Sequence, residues 1–186
     1  MYSTSEFRKG LKIELDGAPY VIVDFQHVKP GKGGAFVRTK LKNLLTGRVL
    51  DQTFRSGERV KRPDLMEREM QYLYGEGDRF CMMDNENYEQ LMLTAEQVGE
   101  VRLYLTENLD VKVLFFNQQP VAVEAPTFVE LEVTQTEPGV KGDTATGGTK
   151  PATLESGATV QVPLFINEGD RVRVDTRTGA YMERVK

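Results

Sequence analysis

Alternation with a period of two runs through most of this chain and narrows the choice of fold more than any other feature. In Tyr20-Val21-Ile22-Val23-Asp24-Phe25-Gln26 and in Val37-Arg38-Thr39-Lys40-Leu41-Lys42, successive side chains turn to opposite faces. That is the pattern of a strand with one buried side. Turn dipeptides cut the pattern into short lengths: Asp16-Gly17, Pro30-Gly31, Thr46-Gly47, Ser56-Gly57, Glu76-Gly77, Pro138-Gly139, Glu168-Gly169 and Thr178-Gly179. Short strands punctuated this often predict an all-β protein built from small barrels or sandwiches. One helix is expected within this frame. It begins at Thr94 as N-cap with Gln97 three residues on, and carries Ala95, Val98, Val101, Leu105 and Leu109 at roughly helical spacing, with Gly99 as its weak point.

Proline and charge together suggest where the chain divides. Arg62-Pro63-Asp64 and Ala125-Pro126-Thr127 each halt a ladder, and the charge balance changes at both. Residues 1–63 carry 13 basic and 6 acidic side chains, a net of +7. Residues 64–126 carry 4 and 13, a net of −9, and residues 127–186 carry 7 and 9, a net of −2. Three domains of about 60 residues are therefore expected, at 1–63, 64–126 and 127–186. Domains this small bury only about 60% of their unfolded surface, so each is expected to lean on its neighbour. The overall charge of −4 hides a basic first third, the candidate for contact with an RNA backbone. A plain drift of surface charge between domains would look the same.

Other classes of function find little support. No apolar run approaches the roughly 20 residues that span a bilayer, so no membrane role is expected. Residues 1–7 lack the basic, apolar and small-residue parts of a signal peptide, and Cys81 is the lone cysteine; both lead to the expectation of a cytoplasmic protein without disulfides. With one histidine, His27, and one cysteine, no His-Cys metal cluster and no repeated His ligand pair can be assembled; a Ser-His-Asp arrangement around His27 is formally possible, but no Gly-x-Ser-x-Gly elbow occurs. No catalytic residue, metal or cofactor is assigned. His27 is expected to be structural or simply exposed, and Cys81, in Phe80-Cys81-Met82-Met83, a buried small hydrophobe.

The most informative stretch is Lys29-Pro30-Gly31-Lys32-Gly33-Gly34-Ala35-Phe36, between two well-patterned strands and so at the tip of a hairpin. It is not a phosphate loop, because Lys32 precedes its glycines and a strand follows where a helix is needed. Glycines on both sides of Lys32 remove bulk and tolerate positive φ, so the lysine can project alone into a crevice. Its ammonium brings three donors on a flexible stem, suited to phosphate or ribose oxygens. An ordinary exposed hairpin kept soluble by its lysine fits the same residues. Behind the tip, Arg38, Lys40 and Lys42 alternate along one strand as a basic stripe. A second polar loop, residues 137–151, is long for a connection inside a barrel, and its small polar residues suit either RNA contact or a loose surface loop.

At these residues the chain resembles bacterial translation elongation factor P over essentially its whole length. The resemblance is carried by the tip hairpin, by Lys40-Leu41-Lys42-Asn43-Leu44 with Thr46-Gly47, and by Met70-Gln71-Tyr72-Leu73-Tyr74. A C-terminal signature adds Lys150, Ala152, Gly157, Val160, Val162-Pro163, Ile166 and Gly169, preceded by Gly142-Asp143-Thr144. The resemblance implies an SH3-like (KOW-like) barrel followed by two OB-folds in an L-shaped, tRNA-mimicking arrangement. It implies a monomeric accessory factor, not an enzyme, that binds ribosomal RNA and proteins between the peptidyl and exit sites and relieves stalling at consecutive prolines. Lys32 would be the tip residue, the target of a lysine-modifying enzyme in some members, with Lys29, Pro30, Gly31, Lys32, Gly33 and Gly34 against the peptidyl-tRNA. Gly142, Asp143 and Thr144 would lie near the small subunit and the exit-site codon. The other signature residues are expected to hold the barrel together. Two rivals stay open at this point. One is an elongation-factor-P-like paralogue, against which the intact tip motif speaks; the other is a general RNA-binding β-barrel protein, which would need stacking aromatics such as Tyr72, Tyr74, Phe115 or Phe116 on exposed strands.

Overall fold

The fold is seen in a computed structural model that describes residues 1–139 and 148–186. It begins with a short strand β1 (Tyr2–Ser3) and a 3-10 turn, Thr4–Glu6, closed by a capping box in which the Ser3 N–H donates to Glu6 Oε2 at 2.7 Å. A meander follows, β2 (Lys12–Leu15), β3 (Ala18–Val28), β4 (Phe36–Asn43) and β5 (Val49–Arg55), and β6 (Arg59–Val60) returns to pair with β1. The β2–β3 turn needs left-handed backbone at both central positions, which Asp16 (φ 52°) and Gly17 (φ 79°) supply. Phe7, Leu11, Ile13, Ile22, Val37, Leu41 and Phe54 fill the core, with Phe7 and Phe54 edge to face at 5.4 Å.

One detail of β3 departs from simple alternation. A bulge between Ile22 and Asp24 inserts a residue against β4. Tyr20 and Ile22 face the core before it, whereas Phe25 packs on the core after it and Val23 is left exposed. A bulge switches the parity of the strand, so the alternation that identifies the strand does not say which of its residues point inward beyond that position.

The second sheet comprises β7 (Met66–Glu76), β8 (Arg79–Asp84), β9 (Gln90–Thr94), β10 (Asp110–Phe116) and β11 (Gln119–Glu124), in the order β11-β10-β7-β8-β9. The expected helix is mostly absent. Its start is as read, since Thr94 and Gln97 form a full capping box. But α1 spans only Ala95–Val98, because Gly99 takes φ 65° and ψ −144°, and a 3-10 segment, Gly99–Tyr104, follows. The glycine's freedom ends the helix where the apolar spacing alone would have continued it. Val98 and Leu105 are buried all the same, so that spacing reflects burial from a 3-10 and extended path.

The third sheet is β12 (Phe128–Thr136), β13 (Thr149–Leu154), β14 (Thr159–Pro163), β15 (Arg171–Asp175) and β16 (Ala180–Val185), in the order β14-β13-β12-β15-β16. Leu131, Val133, Leu154, Val162, Ile166, Val172 and Val174 form its core, and Leu103, Tyr104 and Leu109 pack against it. Ser156 Oγ donates to the Leu103 carbonyl. The signature residues Ala152, Val160, Val162 and Ile166 are all buried. Lys150 is buried too, with its ammonium donating to the Glu137 carbonyl, which meets the requirement that a buried charge be hydrogen-bonded.

The chain is mostly strand, in curled half-barrel sheets. Packing gathers it into two compact bodies, one of Met1–Glu67 with Leu114–Ala122 and the other of Arg68–Val113 with Val123–Lys186. Inside the first body, Leu114, Phe116 and Val121 form a small apolar cluster with Leu44, Leu45 and Leu65.

Candidate functional site: the lysine hairpin

The β3–β4 hairpin carries the residues singled out above. Its last paired positions are Val28 and Phe36, so the chain between them leaves the sheet as a tip. Lys29, Pro30, Gly31, Lys32, Gly33 and Gly34 are all exposed. The expectation that the glycines supply positive φ is met at one of them, since Gly33 alone of the three turns left-handed, at φ 98°. A Cβ placed on Gly31, Gly33 or Gly34 would have no atom of the described residues within 4 Å. Nothing among the described residues therefore requires small residues at positions 31 and 34. Their effect is to keep the tip thin on every side of Lys32.

The base of the tip is firmly held. The Ser56 N–H donates to the Ala35 carbonyl at 3.0 Å, tying the hairpin to the turn after β5. Phe36 pairs with Arg55 across the sheet, and the Arg38 guanidinium lies 5.5 Å from the Phe36 ring centroid. His27, exposed in β3, meets the edge of Phe25 at 5.6 Å. The tip is thus an extension of an ordered sheet, with Lys32 exposed at its end.

The basic stripe has the predicted alternation. Arg38 and Lys40 are exposed and Lys42 half-buried, while Val37, Thr39 and Leu41 between them are buried. Register adds something that a single strand cannot display. Lys40 lies opposite Asp24 on β3 and Asp51 on β5, whereas Arg38 lies between Gln26 and Thr53. Reading β4 alone therefore overstates its positive charge. Arg55, which register brings beside Phe36, was not singled out by the sequence pattern, because it ends a strand with no basic neighbour at alternate positions.

The remaining residues separate clearly. Gly142, Asp143 and Thr144 lie outside the described residues. Cys81 is buried, with its thiol 3.7 Å from Gln90 Oε1. Phe115 and Phe116 are buried and so do not form an exposed stacking platform, whereas Tyr74 is exposed. Among the described residues no group of three or more His, Cys, Asp and Glu side chains could hold a metal ion. No helix among them is long and apolar enough to cross a membrane.

Comparison with known proteins accounts for the whole chain. Residues 3–60 match the elongation factor P KOW-like domain, residues 65–123 the elongation factor P OB domain, and residues 129–184 the elongation factor P C-terminal domain. Elongation factor P of Natranaerobius thermophilus is 58% identical over 186 residues, covering 100% of this chain and 99% of that one. Elongation factor P of Bdellovibrio bacteriovorus is 57% identical over 185 residues, covering 100% and 98%. Among solved structures, eukaryotic translation initiation factor 5A from Methanococcus jannaschii aligns with TM-score 0.48 and 26% identity, over 66% of this chain and 92% of that one. Full-length identity at this level, with one barrel module after another matched in order, makes this chain a member of the elongation factor P family, a translation elongation factor that assists the ribosome and is not a classical enzyme.

Proposed function

We propose that this factor binds the ribosome between the peptidyl and exit sites, reaches the CCA end of the peptidyl-tRNA with residues 29–34, and restores peptide-bond formation where consecutive prolines stall it. The observation that carries this reading is the hairpin itself, a lone lysine at the end of a thin, wholly exposed tip that an ordered sheet holds out. Family membership adds the ribosome as the setting. The ring nitrogen of proline is a poor nucleophile, so a factor helps by holding the peptidyl-tRNA in reactive geometry without donating protons of its own. Stabilising the productive pose by about 3 kcal/mol would raise the rate about a hundredfold.

Each part of the chain has a role in this reading. Residues 1–63 form the domain that enters the peptidyl-transferase region, with Lys32 at its tip and Arg38 behind it. Residues 64–126 and 127–186 are the two OB domains, and Gly142, Asp143 and Thr144 lie near the small subunit and the exit-site codon. Lys32 is the residue a lysine-modifying enzyme would extend, gaining reach and donors. The factor works as a cytoplasmic monomer.

The test is synthesis of full-length product from a reporter encoding several consecutive prolines, in a reconstituted translation system. The comparison is between no factor, the wild type, Lys32→Ala and Lys32→Arg. Rescue by the wild type, with loss in both variants, is expected if Lys32 acts through its length and shape as well as its charge. Full rescue by Lys32→Ala would overturn the reading. If the wild type fails, intact mass separates a missing modification from a wrong function.

A further inference from the structure

The first sheet presents an outward face whose charges are sorted by distance from the tip, and register fixes the order. The row nearest the tip is Val28, Phe36 and Arg55; the next is Gln26, Arg38 and Thr53; the third is Asp24, Lys40 and Asp51. The exposed members of these rows share one face, opposite the buried Val37, Leu41 and Phe54. A shallow depression of about 410 Å³ lies over the second and third rows.

The two ends of this face offer an anion different surroundings. Neighbours across a ladder have Cβ atoms about 5 Å apart, so a phosphate reaching Lys40 meets two carboxylates well inside the roughly 8 Å screening length of physiological salt. Lys9 lies 3.8 Å from Asp24, but both groups are largely exposed and such a pair neutralises little. Arg55 is four residues along β5 from Asp51, roughly 13 Å at strand spacing and beyond that length. The Glu58 carboxylate, which accepts the Arg55 backbone N–H at 2.9 Å within the turn, stands beside Arg55 as a single acid, where Lys40 is flanked by two. Among the described residues neither Arg38 nor Arg55 forms an ion pair. The Arg38 guanidinium lies over the half-buried Phe36 ring, and Arg55 is the residue paired with Phe36 across the ladder, where the tip leaves the sheet.

We infer that Arg55 and Arg38 are a pair of phosphate-binding residues at the base of the tip, and that the Asp24, Lys40 and Asp51 row marks the edge of the RNA footprint on this face. The inference rests on the ribosomal reading above and divides the basic stripe, keeping Arg38 and replacing Lys40 by Arg55. Guanidiniums suit the role, because each presents a planar fork to two phosphate oxygens. Asp24 and Asp51 confine the contact to the tip end by repelling phosphates further along the sheet.

The test measures binding of the full chain to ribosomes stalled with peptidyl-tRNA on consecutive proline codons, across a series of salt concentrations. Each phosphate contact contributes about 0.7–0.9 to the slope of log affinity against log salt. Arg55→Gln is expected to lower that slope by nearly one contact and to weaken binding about fivefold at moderate salt, while Arg55→Lys keeps most of the slope. The double variant Lys40→Met with Asp51→Asn leaves the charge of its row unchanged and is expected to bind as the wild type does. An unchanged slope in Arg55→Gln, or a slope in the double variant lowered as far as in Arg55→Gln, would overturn the inference, as would weaker binding with no change of slope, which signifies a protein contact. Failure of the wild type to bind stalled ribosomes would overturn the ribosomal reading and this inference with it.

Discussion

Alanine in place of each tip glycine separates what the fold needs from what a partner needs. At Gly33 the backbone φ of 98° is one that an L side chain adopts at a cost of about 1–2 kcal/mol, although the added methyl meets no atom within 4 Å. That cost shifts the population of the native tip by roughly 5- to 30-fold. At Gly31 φ is not left-handed and the space around an added Cβ is open, so Gly31→Ala is free of strain and stabilises the chain by up to about 1 kcal/mol, because the unfolded chain loses freedom. Unfolding in urea should therefore rank Gly31→Ala at or above the wild type and Gly33→Ala below it. Rescue of proline stalling should fall in both, because the methyl at residue 31 thickens the part of the tip that enters the ribosome. Equal destabilisation by the two substitutions would refute the backbone argument. Wild-type rescue by Gly31→Ala would refute the argument that position 31 is kept small for a partner.

Three further outcomes follow from local geometry. Thr39 is buried and its Oγ1 has no hydrogen-bond partner among the described residues, so Thr39→Val should raise stability by about 1 kcal/mol, read as a higher urea midpoint at unchanged slope. The β10–β11 turn forces left-handed backbone on two side-chain-bearing residues, Asn117 (φ 48°) and Gln118 (φ 68°), and Gln118→Gly should stabilise it by about 0.5–1 kcal/mol in the same assay. The hydrogen bonds from the Arg177 side chain hold the Asp175 carboxyl below its ordinary value of 3.8. A lowered folded-state pKa means that its stabilisation is complete above the ordinary value and is lost as pH falls below it. Asp175→Asn should thus flatten the dependence of the thermal midpoint on pH below about 4, and an unchanged acid limb would show that the pair contributes nothing.

Much of the architecture could be read before any coordinates, for a definite reason. Strand alternation and turn chemistry are local, and the Asp16-Gly17, Thr46-Gly47, Ser56-Gly57 and Thr178-Gly179 turns all take left-handed glycine where the dipeptides mark it. The helix from Thr94 was legible at its capped start and misread beyond it, because apolar spacing reports burial and Gly99 decides the backbone. The Asn117-Gln118 turn escaped notice because it lacks the glycine that normally signals such a geometry.

Residue order along the chain was enough to establish a predominantly β protein, a projecting Lys32 and a basic first third, since each depends on neighbours in sequence. Which charges meet across strands depends on register, and register is set by the bulge after Ile22 and by the turns that align β3, β4 and β5. Tertiary structure therefore placed Asp24 and Asp51 beside Lys40 and brought Arg55 up to Phe36. Electrostatic energy falls with distance in space, and residues 11, 16 or 19 apart in sequence become neighbours only when the sheet pairs them.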